Sequence, residues 1–217
     1  MPPLPPVISE PRLGNDGRRR FVLNRESEPR SAPSAFEPFS LALPETKLES
    51  LLAFHPVLSE RLRRTFRLRS VGNQLPVGLF EGDVAEAHKL FTGGKSAVDL
   101  WGVGQEGERL VLLELKKAGN EKLGGLSELL FYSLLLHEVQ TGMIRLPLPE
   151  KGLTADYLAI PSTTCIEGYL LAPGIHPLLD GNDAWMLRTL NTALAAQRQR
   201  ITLGLARLGE DGSITLR

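Results

Sequence analysis

Residues 93–120 read GGKSAVDLWGVGQEGERLVLLELKKAGN, and the way this stretch folds decides the architecture around it. SAVDLWGV and ERLVLLELKK are dense in Val and Leu and flank QEG, a turn-forming stretch, so the pattern predicts a β-hairpin. That reading disposes of two conspicuous glycine strings. Gly94-Lys95-Ser96 ends like a phosphate-binding loop, G-x-x-x-x-G-K-[ST], but the first glycine position holds Lys89, and a strand rather than a helix follows the serine. Gly102-x-Gly104-x-x-Gly107 has the letters of a dinucleotide-binding fingerprint. It too runs into a strand, where that fingerprint must open a helix on the pyrophosphate. Both runs are therefore assigned to leading the chain into a hairpin and turning it.

The hairpin also aligns charges. With a tight turn about Glu106-Gly107, paired residue numbers sum to 213, which sets Asp99 opposite Glu114; a looser turn shifts this by a residue or so. Glu114 and Lys116, two apart on one strand, project from the same face. Asp99 sits among Val98, Leu100 and Trp101, and Glu114 and Lys116 interrupt an otherwise apolar strand. Charges in a sheet centre are costly unless they are paired or hold a metal. Two close carboxylates suit a hard cation such as Mg²⁺. A lysine beside them can orient or help deprotonate water and stabilise charge that develops on phosphate. On spacing alone, an edge hairpin with solvated charges and an ordinary Glu-Lys contact fits as well.

Composition bounds what surrounds this stretch. The chain has 217 residues, 42% hydrophobic and 23% charged, enough for one good core. Its 25 basic and 25 acidic side chains cancel, so bulk charge neither predicts nor forbids nucleic acid as a partner. Cys165 is the only cysteine, which excludes an intramolecular disulfide framework and a structural zinc site built on several thiolates. MPPLPPVISEPR lacks the basic-then-apolar pattern of a signal peptide. The leucine-rich run LSELLFYSLLLHEV, Leu126 to Val139, is too short to span a bilayer and carries Glu128, His137 and Glu138. A cytoplasmic protein without a membrane partner is expected.

Nine of the sixteen prolines precede residue 45, so residues 1–43 read as a flexible, Pro-rich arm and 44–217 as the folded domain. ETKLESLLAFHPVLSERLRRTF places Leu48, Leu51, Leu52, Val57, Leu58 and Leu62 near helical spacing, bent or split at His55-Pro56. Residues 72–96 show no sustained pattern and read as a long connection with a short helix about Val84 to Leu90. LSELLFYSLLLHEV reads as an apolar helix and ADYLAIPST as a buried strand. Asp183 is a candidate N-cap for a helix from Ala184 to about Arg200, followed by a hairpin of ITLGLARL and SITLR about GEDG.

A helix bearing a glutamate, an Asp at the start of a hairpin, Glu-x-Lys on the next strand and then a helix together resemble the PD-(D/E)xK nuclease superfamily, closest in detail to its RecB-type and NucS-type branches. The likeness runs over residues 45 to 160 through ETKLESLLAFHPVL, AVDLWGVGQEGERLVLLELKK and GGLSELLFYSLLL. It implies a restriction-endonuclease-like α/β core: a central mixed sheet flanked by helices, here with an added C-terminal helix and hairpin. It implies Mg²⁺ or Mn²⁺ held by Asp99, Glu114 and the backbone carbonyl of Leu115, with Lys116 as catalytic lysine and nucleic acid, DNA first, as substrate. Glu49, or Glu45 one turn earlier, would match the first-helix glutamate that reaches the metal directly or through water. Glu128 departs from the pattern, standing where such nucleases often have glutamine, and Tyr132 follows one turn on as a neighbour of the site or a core aromatic. For phosphate contacts the basic cluster Arg61, Arg63, Arg64, Arg67 and Arg69, with Lys117 and Lys122, is the candidate; a solvated helix end is the plainer reading of those arginines. A non-catalytic nucleic-acid- or protein-binding module on the same fold is the alternative. A protein partner for targeting and a homodimer are both compatible with the sequence.

Overall fold

The computed structural model describes residues 21–24, 32–90, 96–120, 123–147, 155–180 and 184–217. Gly94, Lys95, Lys122 and Asp183, each named above, lie outside them. The quoted stretch forms the expected hairpin: β4 (Ala97–Val103) pairs antiparallel with β5 (Arg109–Leu115), Leu100 opposite Leu113 and Val103 opposite Leu110. These pairs keep the 213 sum. The glycines fill the roles that remain. Gly107 takes φ +83° in the turn, and a Cβ at Gly102 would lie 2.5 Å from the Ser70 carbonyl oxygen.

Strands added on both sides complete a six-stranded mixed sheet in the order β2-β4-β5-β7-β8-β9. β2 (Gly72–Pro76) joins β4 antiparallel, β7 (Cys165–Ala172) joins β5 parallel, and β8 (Ile201–Leu208) joins β7 parallel. β9 (Ile214–Leu216) closes the C-terminal hairpin against β8. The parallel strands read as near-continuous Val and Leu because both faces are covered, as parallel sheets require. On one face α1 (Glu45–Phe54) and α2 (Pro56–Phe66) pack Leu48, Leu52, Leu58 and Leu62 against Leu100, Val111, Leu113 and Leu115. On the other, α3 (Gly124–Gln140) and α5 (Trp185–Ala196) bring Leu126, Leu129 and Leu194 against Trp101, Val103, Leu110 and Leu112. The chain is thus an α/β protein with a mixed sheet between helical layers.

His55 is extended (φ −68°, ψ 125°), and Pro56 starts α2. The residue before proline is excluded from the helical region, so the helix splits there as expected. Four expectations change. The connection at 72–96 instead contains β2 and β3 (Leu79–Glu81), with a 3₁₀ turn at Glu86–His88; GNQLP is broken by Gly and Pro, and LFE is too short to show alternation. ADYLAIPST is α4 (Ala155–Ala159) and a 3₁₀ turn at Ile160–Ser162, not a strand, its burial arising from packing over the sheet rather than within it. Within the N-terminal arm, Phe21–Leu23 form β1, which pairs with β3 and with β6 (Ile144–Arg145) in a small second sheet, with Val22 and Leu23 fully buried. Val57, placed on the core face by spacing, is exposed. No helix among the described residues is long and apolar enough to cross a membrane.

Because Gly102 meets main chain rather than a movable side chain, Gly102→Ala is expected to lower stability by about 1–3 kcal/mol, read from the urea midpoint at unchanged m-value.

Candidate metal centre

Asp99 sits where the sheet lets go of it. The paired positions of β2 and β4 run Asn73 with Leu100 and Leu75 with Val98, leaving Asp99 and Gln74 between them. The β4–β5 ladder ends at Leu100 and Leu113. In place of a further ladder bond, the Leu115 N–H donates to Asp99 Oδ2 at 2.9 Å. Glu114 continues the face of Leu110 and Leu112 toward α3, and it is only 4% exposed. Its Oε1 accepts from Lys116 Nζ at 2.6 Å, while its Oε2 is buried with no partner among the described residues.

Lys116 gathers the surrounding acids. Its ammonium lies 3.2 Å from Glu128 Oε2 on α3 and 3.9 Å from Glu45 Oε1 in the first turn of α1. Glu45 Oε2 also accepts the Lys117 N–H at 3.3 Å, so the N-terminal turn of α1 is tied to the end of β5. Gly125 leaves room for the lysine: a Cβ there would lie 2.8 Å from Lys116 Cε. Glu49 is 3% exposed, and its two oxygens accept the side-chain amides of Asn73 and Gln74, each at 2.9 Å. Gln74 Nε2 also stands 3.5 Å from Asp99 Oδ1.

Burial sets the protonation chemistry. Desolvation raises the Asp99 pKa to about 6, against the Leu115 N–H bond and the Lys116 charge, which lower it. For Glu114, desolvation and then the negative charge of Asp99 push the carboxyl up to about 8, with Lys116 opposing. Burial by itself would depress Lys116, but its hydrogen bond to Glu114 and the charges of Glu114 and Glu128 raise it well above the usual lysine range. Lys116 is therefore an ammonium at neutral pH. Tyr132 packs against the core and also lies in the field of the site: burial, then Glu114, Glu128 and Asp99, raise its phenol to about 12.

A raised pair of carboxylates beside an orphaned oxygen suits a cation. Asp99 Oδ1, which the Gln74 amide reaches only at 3.5 Å, and Glu114 Oε2 are the oxygens that could hold one, with the Leu115 carbonyl at the same strand end. Among the described residues no group of three or more His, Cys, Asp or Glu forms a metal cage. A hard cation such as Mg²⁺ binds through one or two carboxylates and keeps its waters, and two carboxylate oxygens are what this strand end could offer one. Lys116 holds Glu114 Oε1 in this arrangement.

The arginines named from the sequence divide among several partners. Arg63 and Arg64 pair with Glu60, and Arg61 donates to the Asp211 carbonyl in the β8–β9 turn. Arg67 and Arg69 lie by the β4–β5 turn, where the Arg67 carbonyl accepts the Gln105 N–H and Arg69 Nε donates to the Gln105 carbonyl. That end of β5 is about 17 Å from Glu114 at ~3.3 Å per residue. Lys117, by contrast, is exposed beside the site. Asn73, Gln74 and Gly125 were missed from the sequence; the Gly124-Gly125 doublet was visible as a helix lead-in, but nothing in GNQLP marks its amides. Burial also raises the Cys165 thiol, which makes it a poor nucleophile.

No family model matches the chain, and no curated protein or solved structure matches it. Fold and site together define an α/β protein whose mixed sheet carries a lysine-bridged carboxylate cluster at the end of its central hairpin.

Carboxyls whose folded pKa is raised favour the fold below their unfolded pKa, and that stability is lost as pH rises through the folded value. The window here runs from the ordinary carboxylate range, near 4, to about 8. Melting temperature should therefore fall between about pH 4 and about pH 8, and Glu114→Gln should flatten that slope; an unchanged slope would place Glu114 in solvent.

Proposed function

We propose that this protein hydrolyses phosphodiester bonds of nucleic acid, DNA first, with Mg²⁺ or Mn²⁺ held by Asp99 and Glu114. The observation that carries this reading is the end of the β4–β5 ladder at Leu100 and Leu113, one step short of Asp99 and Glu114, with the Lys116 ammonium on Glu114 Oε1 and Glu114 Oε2 buried without a partner among the described residues. The arrangement agrees with the resemblance to PD-(D/E)xK nucleases and with the restriction-endonuclease-like core that it implies. When bound, the cation supplies Lewis acidity at the scissile phosphate and lowers the pKa of attacking water. Hydrolysis forms a P–O bond to the water oxygen and breaks the P–O bond to the sugar oxygen, which takes up a proton. Lys116, charged at neutral pH, acts as an electrostatic partner of the attacked phosphate rather than as a base. Lys117 stands at the mouth, while Arg67 and Arg69, by the β4–β5 turn, could reach only a distant part of a bound chain.

Glu128, half exposed over Lys116, marks the departure from the family pattern: its charge opposes phosphate and also competes for the lysine. The same ion pairs favour a second reading, in which Lys116 has replaced the cation and the protein binds nucleic acid or another protein without chemistry. Mg²⁺ and Mn²⁺ then leave the melting temperature unchanged, whereas a metal centre raises it.

Cleavage of DNA in Mn²⁺ or Mg²⁺ should fall by about 10²–10³-fold in Asp99→Ala and in Lys116→Ala. Activity that survives both substitutions is contamination and sinks the catalytic reading. Glu128→Gln should increase substrate affinity roughly 2–5-fold, the scale of an exposed charge pair, as measured by fluorescence anisotropy with labelled oligonucleotide.

A further inference from the structure

We propose that Gln74 is a positioning residue of this centre, holding Asp99 through its side-chain amide, and that Glu49 anchors Gln74 instead of reaching the cation. The role rests on the metal-dependent reading above. Gln74 has φ +54°, a left-handed conformation that a residue with a side chain keeps only when its surroundings enforce it. It falls at the position where the β2–β4 pairing passes over Asp99. A regular strand would turn the residue across from Asp99 into an ordinary cross-strand neighbour. Here the amide instead lies between two acids, 2.9 Å from Glu49 Oε2 and 3.5 Å from Asp99 Oδ1. One –NH₂ has two N–H groups, enough to serve both.

The consequence for Asp99 is geometric. Leu115 N–H fixes Oδ2 from the β5 side, and Gln74 faces Oδ1 from the β2 side, so the carboxylate plane is defined from both neighbours before any ligand arrives. Glu49 is occupied in the same way: Asn73 takes Oε1 and Gln74 takes Oε2. A glutamate with an amide on each oxygen orients those amides, as outer partners orient the groups that hold a metal.

The test uses the full chain, with Mn²⁺ as the probe and the Mn²⁺-induced rise in melting temperature as the readout, beside wild type and Asp99→Asn. Glycine and asparagine both accept a positive φ, so Gln74→Gly and Gln74→Asn keep the backbone; the glycine variant, which takes an amide from buried Glu49, melts lower than wild type without metal, and the Mn²⁺ shift is read against each variant's own metal-free value. In both, the Mn²⁺ concentration for half of the shift is expected to rise about 10–100-fold. Glu49→Gln keeps an acceptor oxygen and should weaken Mn²⁺ by less than ~10-fold. Adding it to Gln74→Gly should cost nothing more, because Glu49 acts through Gln74. A wild-type half-point in Gln74→Gly overturns the positioning role, and a Glu49→Gln loss equal to that of Asp99→Asn overturns the anchoring role. Wild type without any Mn²⁺ shift overturns the metal reading and this one together.

Discussion

Strand β5 is buried on both faces, and the rest of the molecule answers to that constraint. Val111, Leu113 and Leu115 face α1 and α2, while Leu110 and Leu112 face α3, all without exposure. An acid next in line on the α3 face has no water to turn to. Glu114 is accommodated because Lys116 folds back to it, while Asp99, which takes the Leu115 N–H in place of a further ladder bond, adds a negative charge that raises the Glu114 pKa. A buried ion pair of this kind is weak evidence of stability, since desolvation offsets much of the attraction. It is better understood as a charge arrangement that the fold tolerates at one strand end.

Around that end the elements supply matching parts. The first turn of α1 brings Glu45, whose negative charge suits a helix N-terminus, onto the β5 terminus, and one turn later Glu49 enters the β2 edge. Glycine at 125 clears a path for the Lys116 stem, and α3 then returns Glu128 and Tyr132 to the same field. The acids outnumber the lysine. Burial is the first cause of the raised carboxyl pKa values, and the excess of acids over the one ammonium adds to it at Glu114.

Much of this was legible from residues alone. The hairpin, its register, the split at His55-Pro56, the long apolar helix and the C-terminal helix and hairpin all follow from periodicity and punctuation, because each is a local pattern of ten residues or more. Short strands were not legible. GNQLP, LFE and FVL carry too few residues to alternate, and they become strands only because neighbours donate hydrogen bonds to them. ADYLAIPST misled for a related reason: an apolar run tells of burial, not of whether a strand or a short helix is buried.

The sequence by itself determined which charges would meet across the hairpin, since a side-chain period of two and a tight turn leave Asp99 and Glu114 on one face. Tertiary structure decided what surrounds them. Sheet pairing put Gln74 into a left-handed conformation beside Asp99, the placement of α1 gave Glu49 to two amides, and the course of α2 carried Arg67 and Arg69 to the β4–β5 turn at the far end of the hairpin. None of those outcomes is written in local spacing, because each depends on which long-range neighbour completes a buried hydrogen bond.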